Sequence, residues 1–145
     1  MNKKSISYLL LCLFLLSCNK DEVKGIEIWD TLNSNLSYFE NRKLESLIER
    51  AFKKDSDAFS ELSKFDCGGG AGCYDLGFVI TQIVYRIGEN EFLRITKNIS
   101  TEEKLQLKSL IRAGLDQGDN NGDGKIDYKK LENEFPKLSN EFAEW

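Results

Sequence analysis

Apolar residues recur at intervals of three and four along most of this 145-residue chain, and its one proline is Pro136. That spacing confines the chain to helices that bury one stripe against their neighbours. Ile28, Leu32, Leu36 and Phe39 share a face, after a polar stretch that ends near Gly25. Leu44, Leu47, Ile48, Ala51 and Phe52 form the clearest amphipathic stripe. Asp55 then stands where a helix N-cap would, ahead of Ala58, Phe59, Leu62 and Phe65, so these two stretches read as an antiparallel helical hairpin. Leu76 to Ile87 is rich in β-branched residues and could suit a strand, but its length favours a buried helix. Phe92, Leu93, Thr96 and Ile99 make a short further helix. Ser100 with Glu103 is a capping-box signature, opening a helix through Leu105, Ile111 and Leu115. At the end, Leu131, Phe135, Leu138, Phe142 and Trp145 keep helical spacing, with Pro136 either kinking one helix or opening another. The expected fold is all-α, a compact domain of about seven helices. Trp29, Tyr38, Phe39, Phe52 and Phe59 are expected in its core.

The first residues follow a different logic. Lys3 and Lys4 precede an apolar run from Ile6 to Leu16, which is too short to anchor a chain across a bilayer. A charged start, a short apolar run and a small residue before the cut describe a secretory signal. Leu15-Leu16-Ser17-Cys18 resembles the lipobox of bacterial lipoproteins. The resemblance implies cleavage after Ser17 and diacylglycerol on the Cys18 thiol. A single acyl chain holds a membrane only marginally, so a lasting anchor needs further acylation, such as palmitate, on Cys18. The other reading is an ordinary signal peptide that happens to contain a cysteine. Cys18-Asn19-Lys20-Asp21-Glu22 resembles a surface-export signal of lipoproteins in one group of Gram-negative bacteria, against the alternative of a plain polar tether. The chain is thus expected to comprise a signal at 1–17, a lipidated tether at 18–25 and one helical domain at 26–145. It is expected in the outer membrane, at the cell surface or otherwise on the periplasmic face, held by its lipid.

The signal carries two lysines and no acid, so the formal charge of −4 becomes two units more negative once it is removed. An acidic domain with scattered lysines lacks the basic face that nucleic acid demands. Of the four cysteines, Cys12 leaves with the signal and Cys18 takes the lipid, which leaves Cys67 and Cys73. The chain has no histidine, so two thiols make a poor zinc site and an economical disulfide in an oxidising compartment. The loop they would close, Gly68-Gly69-Gly70-Ala71-Gly72, could in principle bind an anion at the following helix start. No phosphate-loop spacing or lysine supports that, and Asp75 would set a carboxylate there. A disulfide-clasped turn is the better reading, and a projecting binding tip stays open.

One segment carries metal chemistry. In Asp119-Asn120-Asn121-Gly122-Asp123-Gly124-Lys125-Ile126-Asp127, oxygen donors alternate and a glycine permits a sharp turn, which is what a hard cation needs from a short loop. These residues resemble the calcium loop of the EF-hand family. The resemblance implies side-chain ligation by Asp119, Asn121 and Asp123, the backbone carbonyl of Lys125, and Asp127 directly or through water. Gly124 falls at the turn and Ile126 at the usual apolar position. The chain departs from the family at the twelfth position, where Lys130 replaces a bidentate glutamate. It departs again where Asp116-Gln117-Gly118 separates the last apolar residue from the loop, and no second loop is present to pair with the first. Three acids and three lysines between Asp119 and Lys130 make the loop formally neutral. The expectation is a weak structural calcium site over 119–130. The alternative is a metal-free turn, with Asx turns at Asp119 and Asn121 and with Asp127 capping the last helix.

Catalysis finds little footing. Without histidine there is no Ser-His or Cys-His arrangement, and the acids read as a solvated face. The chain is expected to be non-catalytic, a calcium-stabilised module that binds a protein or glycan partner. An anchored inhibitor or immunity protein against a toxin or cell-wall enzyme is the first alternative, and a small glycan-active enzyme the second.

Overall fold

The computed structural model describes residues 22–141. The signal, Cys18, the surface-export motif up to Asp21, Phe142 and Trp145 lie outside the described residues. The described chain is all-α: eight α-helices, one 3₁₀ turn and a single two-stranded hairpin.

The hairpin comes first and takes in residues expected in the tether. β1 (Glu22–Val23) pairs antiparallel with β2 (Ile26–Glu27), Val23 opposite Ile26. Lys24 and Gly25 both have positive φ, 54° and 75°, as a two-residue turn that follows strand twist requires. The Arg86 guanidinium donates to the carbonyls of both turn residues at 2.7 Å and ties the hairpin to the helical body.

α1 (Asp30–Asn35) and α2 (Tyr38–Phe52) are separate helices. Ser37 breaks them apart: its hydroxyl accepts from Glu40 N–H while the Glu40 carboxylate accepts from Ser37 N–H, a complete capping box. The stripe expected from Ile28 to Phe39 therefore stops at Leu36. Restarting the helix turns Tyr38 and Phe39 outward, 72% and 82% exposed, and they are not core residues. Phe59 is fully buried with its ring edge-on to Phe92 at 5.2 Å, while Phe52 and Trp29 are half-buried.

α2 buries Leu44, Leu47, Ile48 and Ala51, as its periodicity dictates. α3 (Ser56–Ser63) is capped by Asp55, whose carboxylate accepts from Asp57 N–H and also pairs with Arg50 at 2.7 Å. Arg50 reaches Glu61 at 2.8 Å as well, so one guanidinium clamps both ends of α3 to α2.

α4 (Ala71–Ile87) is the central helix. Leu76 through Thr81 are all buried, with Ile83 and Val84 beyond them, which leaves only a narrow polar side at Gln82, Tyr85 and Arg86. α5 (Glu89–Ile95) follows Gly88, then come the 3₁₀ turn at Thr96–Asn98 and α6 (Thr101–Gln117), opened by the expected Ser100–Glu103 capping box. α4 and α6 form the most extensive contact among the described elements. They cross at Gly77 and Gly114, where a Cβ on either glycine would strike the other helix's backbone. Thr81, fully buried, donates its hydroxyl to Gly77 C=O at 2.8 Å and to Ile111 C=O at 3.3 Å, bonding across that crossing. α7 (Leu131–Glu134) and α8 (Pro136–Glu141) close the described chain, with Pro136 opening α8 at a position where its missing N–H costs nothing.

Candidate functional site

The loop that resembles a calcium-binding turn hangs from the C-terminus of α6. Asp116 and Gln117 continue that helix, so it enters the loop within two residues of Asp119, closer than the apolar pattern implies. Gly118 ends the helix against the Phe78 ring, where a larger residue would clash. Asn120, which the sequence reading passes over, seals the junction. Its amide donates to the carbonyls of Gly114, Leu115 and Gly118 at 3.2–3.4 Å, and its buried Oδ1 has no partner. An asparagine two residues beyond a helix-ending glycine was the available signal.

Inside the loop the side chains of Asp119, Asn121, Asp123 and Asp127 are each held by the loop's own donors, but the three carboxylates do not gather into one group. Asp119 accepts from Gly122 and Asp123 N–H on one oxygen, at 2.8 and 3.0 Å, and from Gly124 N–H on the other at 2.7 Å. Burial works against its charge, but the N–H groups of Gly124, Asp123, Gly122 and Asn121 outweigh it and hold the carboxyl below the usual range. Asn121 Oδ1 accepts from Asp123 N–H, and Asp123 Oδ1 from Lys125 N–H. Asp127 reaches back across the loop, accepting from Asn120 N–H at 2.7 Å and from the Asn121 amide at 2.6 Å. It therefore closes the loop and does not cap a helix; the next helix begins only at Leu131. Gly122 and Gly124 take φ of 76° and 83°, which makes the tight turns possible.

The donor set suits a hard cation in kind. Every candidate is an oxygen; Asp119 Oδ1 already accepts two N–H groups, while its Oδ2 and the bonded oxygens of Asn121, Asp123 and Asp127 accept one hydrogen bond each and retain a second lone pair. The fit is incomplete in number. Among the described residues, no three His, Cys, Asp or Glu side chains group as a metal site requires. Lys130 is exposed on extended backbone, and Glu132 turns instead to Arg112 at 3.5 Å. Ile126, at the family's apolar position, is 43% exposed. The loop faces Glu27, at the end of β2, and Trp29 across a hollow of about 340 Å³.

The second candidate is the cysteine pair, which forms the disulfide Cys67–Cys73 with Cα atoms 5.0 Å apart. Gly68, Gly69 and Gly70 all have positive φ within it, and Gly72 packs against Cys67 C=O so closely that a Cβ would not fit. Asp75 does not present its carboxylate at the glycine loop. It is buried and accepts from Leu32 N–H at 3.0 Å, satisfying a free donor in the first turn of α1. Burial pushes its carboxyl up, against the lowering effect of that N–H and with the nearby Asp30 charge adding to the rise. The disulfide also walls an open groove of about 670 Å³, whose floor is Phe65, Leu105 and Leu110 and whose rim includes Glu102 and Gln106.

The most strongly shifted carboxylates serve the fold. Glu103 is held down at about 2 by Lys64, then by Ser60 and the Ser100 N–H; Glu91 is held at about 2 by Arg94 and Lys54. No helix among the described residues is long and apolar enough to cross a membrane. No protein-family model matches the chain, and neither the curated proteins nor the solved structures give a significant match.

Proposed function

We propose that this chain is a lipoprotein of the bacterial outer membrane, displayed at the cell surface, whose helical domain binds a protein partner without catalysis. The lipobox-like Leu15-Leu16-Ser17-Cys18 supports the anchor. The observation that carries the binding reading is the open groove beside the disulfide. Phe65, Leu105 and Leu110 are only half-buried there, leaving apolar surface that a partner would cover. The polar rim at Glu102 and Gln106 suits the edge of a protein contact. Calcium at Asp119, Asn121, Asp123, Asp127 and the Lys125 carbonyl is a weak stabiliser in this reading. A neutral ligand loop in an extracellular module has a dissociation constant of about 10⁻⁴ to 10⁻³ M. The ion would cross-link the end of α6 to the segment leading into α7.

The test has two arms. The intact mass of the membrane-purified protein should show an N-terminal acylated Cys18, and protease added to intact cells should degrade it. Capture from surface-biotinylated cells should then recover a partner that the Leu105→Lys variant, folded to the same Tm, fails to recover. Protease protection would argue against surface display. Equal recovery by both proteins would remove the groove from the proposal.

A further inference from the structure

The proposed anchor and the shape of the domain's N-terminal edge together suggest how the domain sits on its membrane. Tyr38 and Phe39 are among the most exposed large side chains described, 72% and 82%, and their rings meet edge-on at 5.7 Å. Tyr38 lines one hollow with Glu22 and Val23, the strand where the described chain begins. Three residues lie between Cys18 and Glu22, which makes four residue-to-residue steps, and a fully extended chain covers about 3.5 Å per step. Acyl chains on Cys18 therefore keep β1 within about 14 Å of the headgroup layer, and the aromatic pair beside it goes with β1. A phenol and a phenyl ring projecting together are suited to a bilayer interface, which takes the apolar body of such rings and leaves a hydroxyl wet.

We propose that Tyr38 and Phe39 form an interfacial contact that orients the domain on the bilayer surface. This rests on the lipid-anchor reading above. Glu22, Arg42 and Glu45 line the Tyr38 hollow and Glu40 follows Phe39, so this edge carries no net positive charge to favour an anionic surface, and the lipid it meets is a neutral, zwitterionic one. The basic residues on this part of the helix are already paired, Arg42 with Glu45 at 2.7 Å and Lys43 with Glu61 at 3.5 Å. The contact would turn the N-terminus of α2 toward the membrane and its C-terminus away from it. At 1.5 Å per residue the two ends lie about 21 Å apart.

The experiment uses the full lipidated protein in phosphatidylcholine vesicles, with and without bromine-labelled acyl chains, and compares Phe39→Trp with Lys53→Trp. Lys53 is exposed at the far end of the same helix. The added tryptophan signal over wild type should lose most of its intensity to the brominated lipid at position 39 and keep it at position 53. The intact mass is read first. A protein acylated at Cys18 whose position-39 signal is unquenched, or quenched equally at both positions, overturns this contact alone. A protein without acylation overturns both the anchor and the contact.

Discussion

At Asp75 and Glu103 two buried carboxylates respond to opposite forces. Asp75 accepts a single N–H from Leu32 in an apolar setting, so burial dominates and raises its pKa. Glu103 accepts from Ser60 at 2.5 Å and from Ser100 N–H at 2.8 Å, and pairs with Lys64 at 2.6 Å, so its charge is favoured. Asp75→Ala should cost about 1–3 kcal/mol in urea unfolding by orphaning the Leu32 N–H. Asp75→Asn, which keeps an acceptor without the buried charge, should cost clearly less. The pH signs are opposite. The Asp75 shift favours the fold at low pH and is lost as pH rises through its raised value. The Glu103 contribution is complete above the ordinary glutamate value of 4.5 and disappears as pH falls toward about 2. Acid titration of stability should therefore show a loss between those values that Glu103→Gln flattens, and an unchanged acid limb would refute the assignment.

At the scale of elements, the α4–α6 crossing depends on two hydrogen atoms where side chains would stand. Gly77→Ala or Gly114→Ala each forces a methyl into the facing backbone. Overpacking of this kind costs about 1–3 kcal/mol, and more where backbone cannot move aside. Thermal melts should show each variant well below wild type, and a double variant should not recover the loss. The loop at 119–127 is the other element with a measurable property. If it takes calcium as proposed, an ion at ten times its dissociation constant adds about 1.4 kcal/mol, or a Tm rise on the order of 5 °C. Lys130→Glu, which removes a repelling ammonium and supplies a carboxylate at the twelfth position, should move the midpoint of that rise to lower calcium. Asp119→Asn should abolish it, and a wild-type Tm unmoved by millimolar calcium would leave the loop as a hydrogen-bonded turn.

At the scale of the molecule, the disulfide and the hairpin each pin a peripheral segment to the helical body. Cys67 and Cys73 lie six residues apart, and a loop that short restricts the unfolded chain by about 2 kcal/mol. Reducing it should lower Tm without unfolding the protein at room temperature, since the core of α2, α4 and α6 lies outside the clasp. It should also loosen the groove beside the disulfide, so hydrogen exchange should rise first at residues 67–73. The hairpin is pinned instead by Arg86 and by Gln82, whose amide donates to Glu27 C=O at 2.9 Å while its oxygen accepts from Glu27 N–H at 3.0 Å. Those bonds fasten the start of the described chain to the central helix.

Sequence alone was enough for the all-α class, the Ser100–Glu103 and Asp55 caps, the buried face of α2 and the pairing of Cys67 with Cys73. These features depend on neighbours three or four residues away, or on a count of thiols, and a linear chain displays both. The break at Ser37 was legible in the same way, because Ser37 and Glu40 share the Ser-x-x-Glu spacing of Ser100 and Glu103, but apolar periodicity runs across it and carries Phe39 into an expected core. The capping box restarts the helix and turns Tyr38 and Phe39 to solvent. Sequence could not reach the role of Asp75, since Leu32 is 43 residues away, or the glycine crossing, where Gly77 matters only because Gly114 faces it. The candidate calcium loop divides along the same line. Its donors and turn glycines are local and could be read directly. That Asp127 closes the loop, and that Glu27 and Trp29 stand opposite it, depended on the path of the chain between them, which packing alone decides.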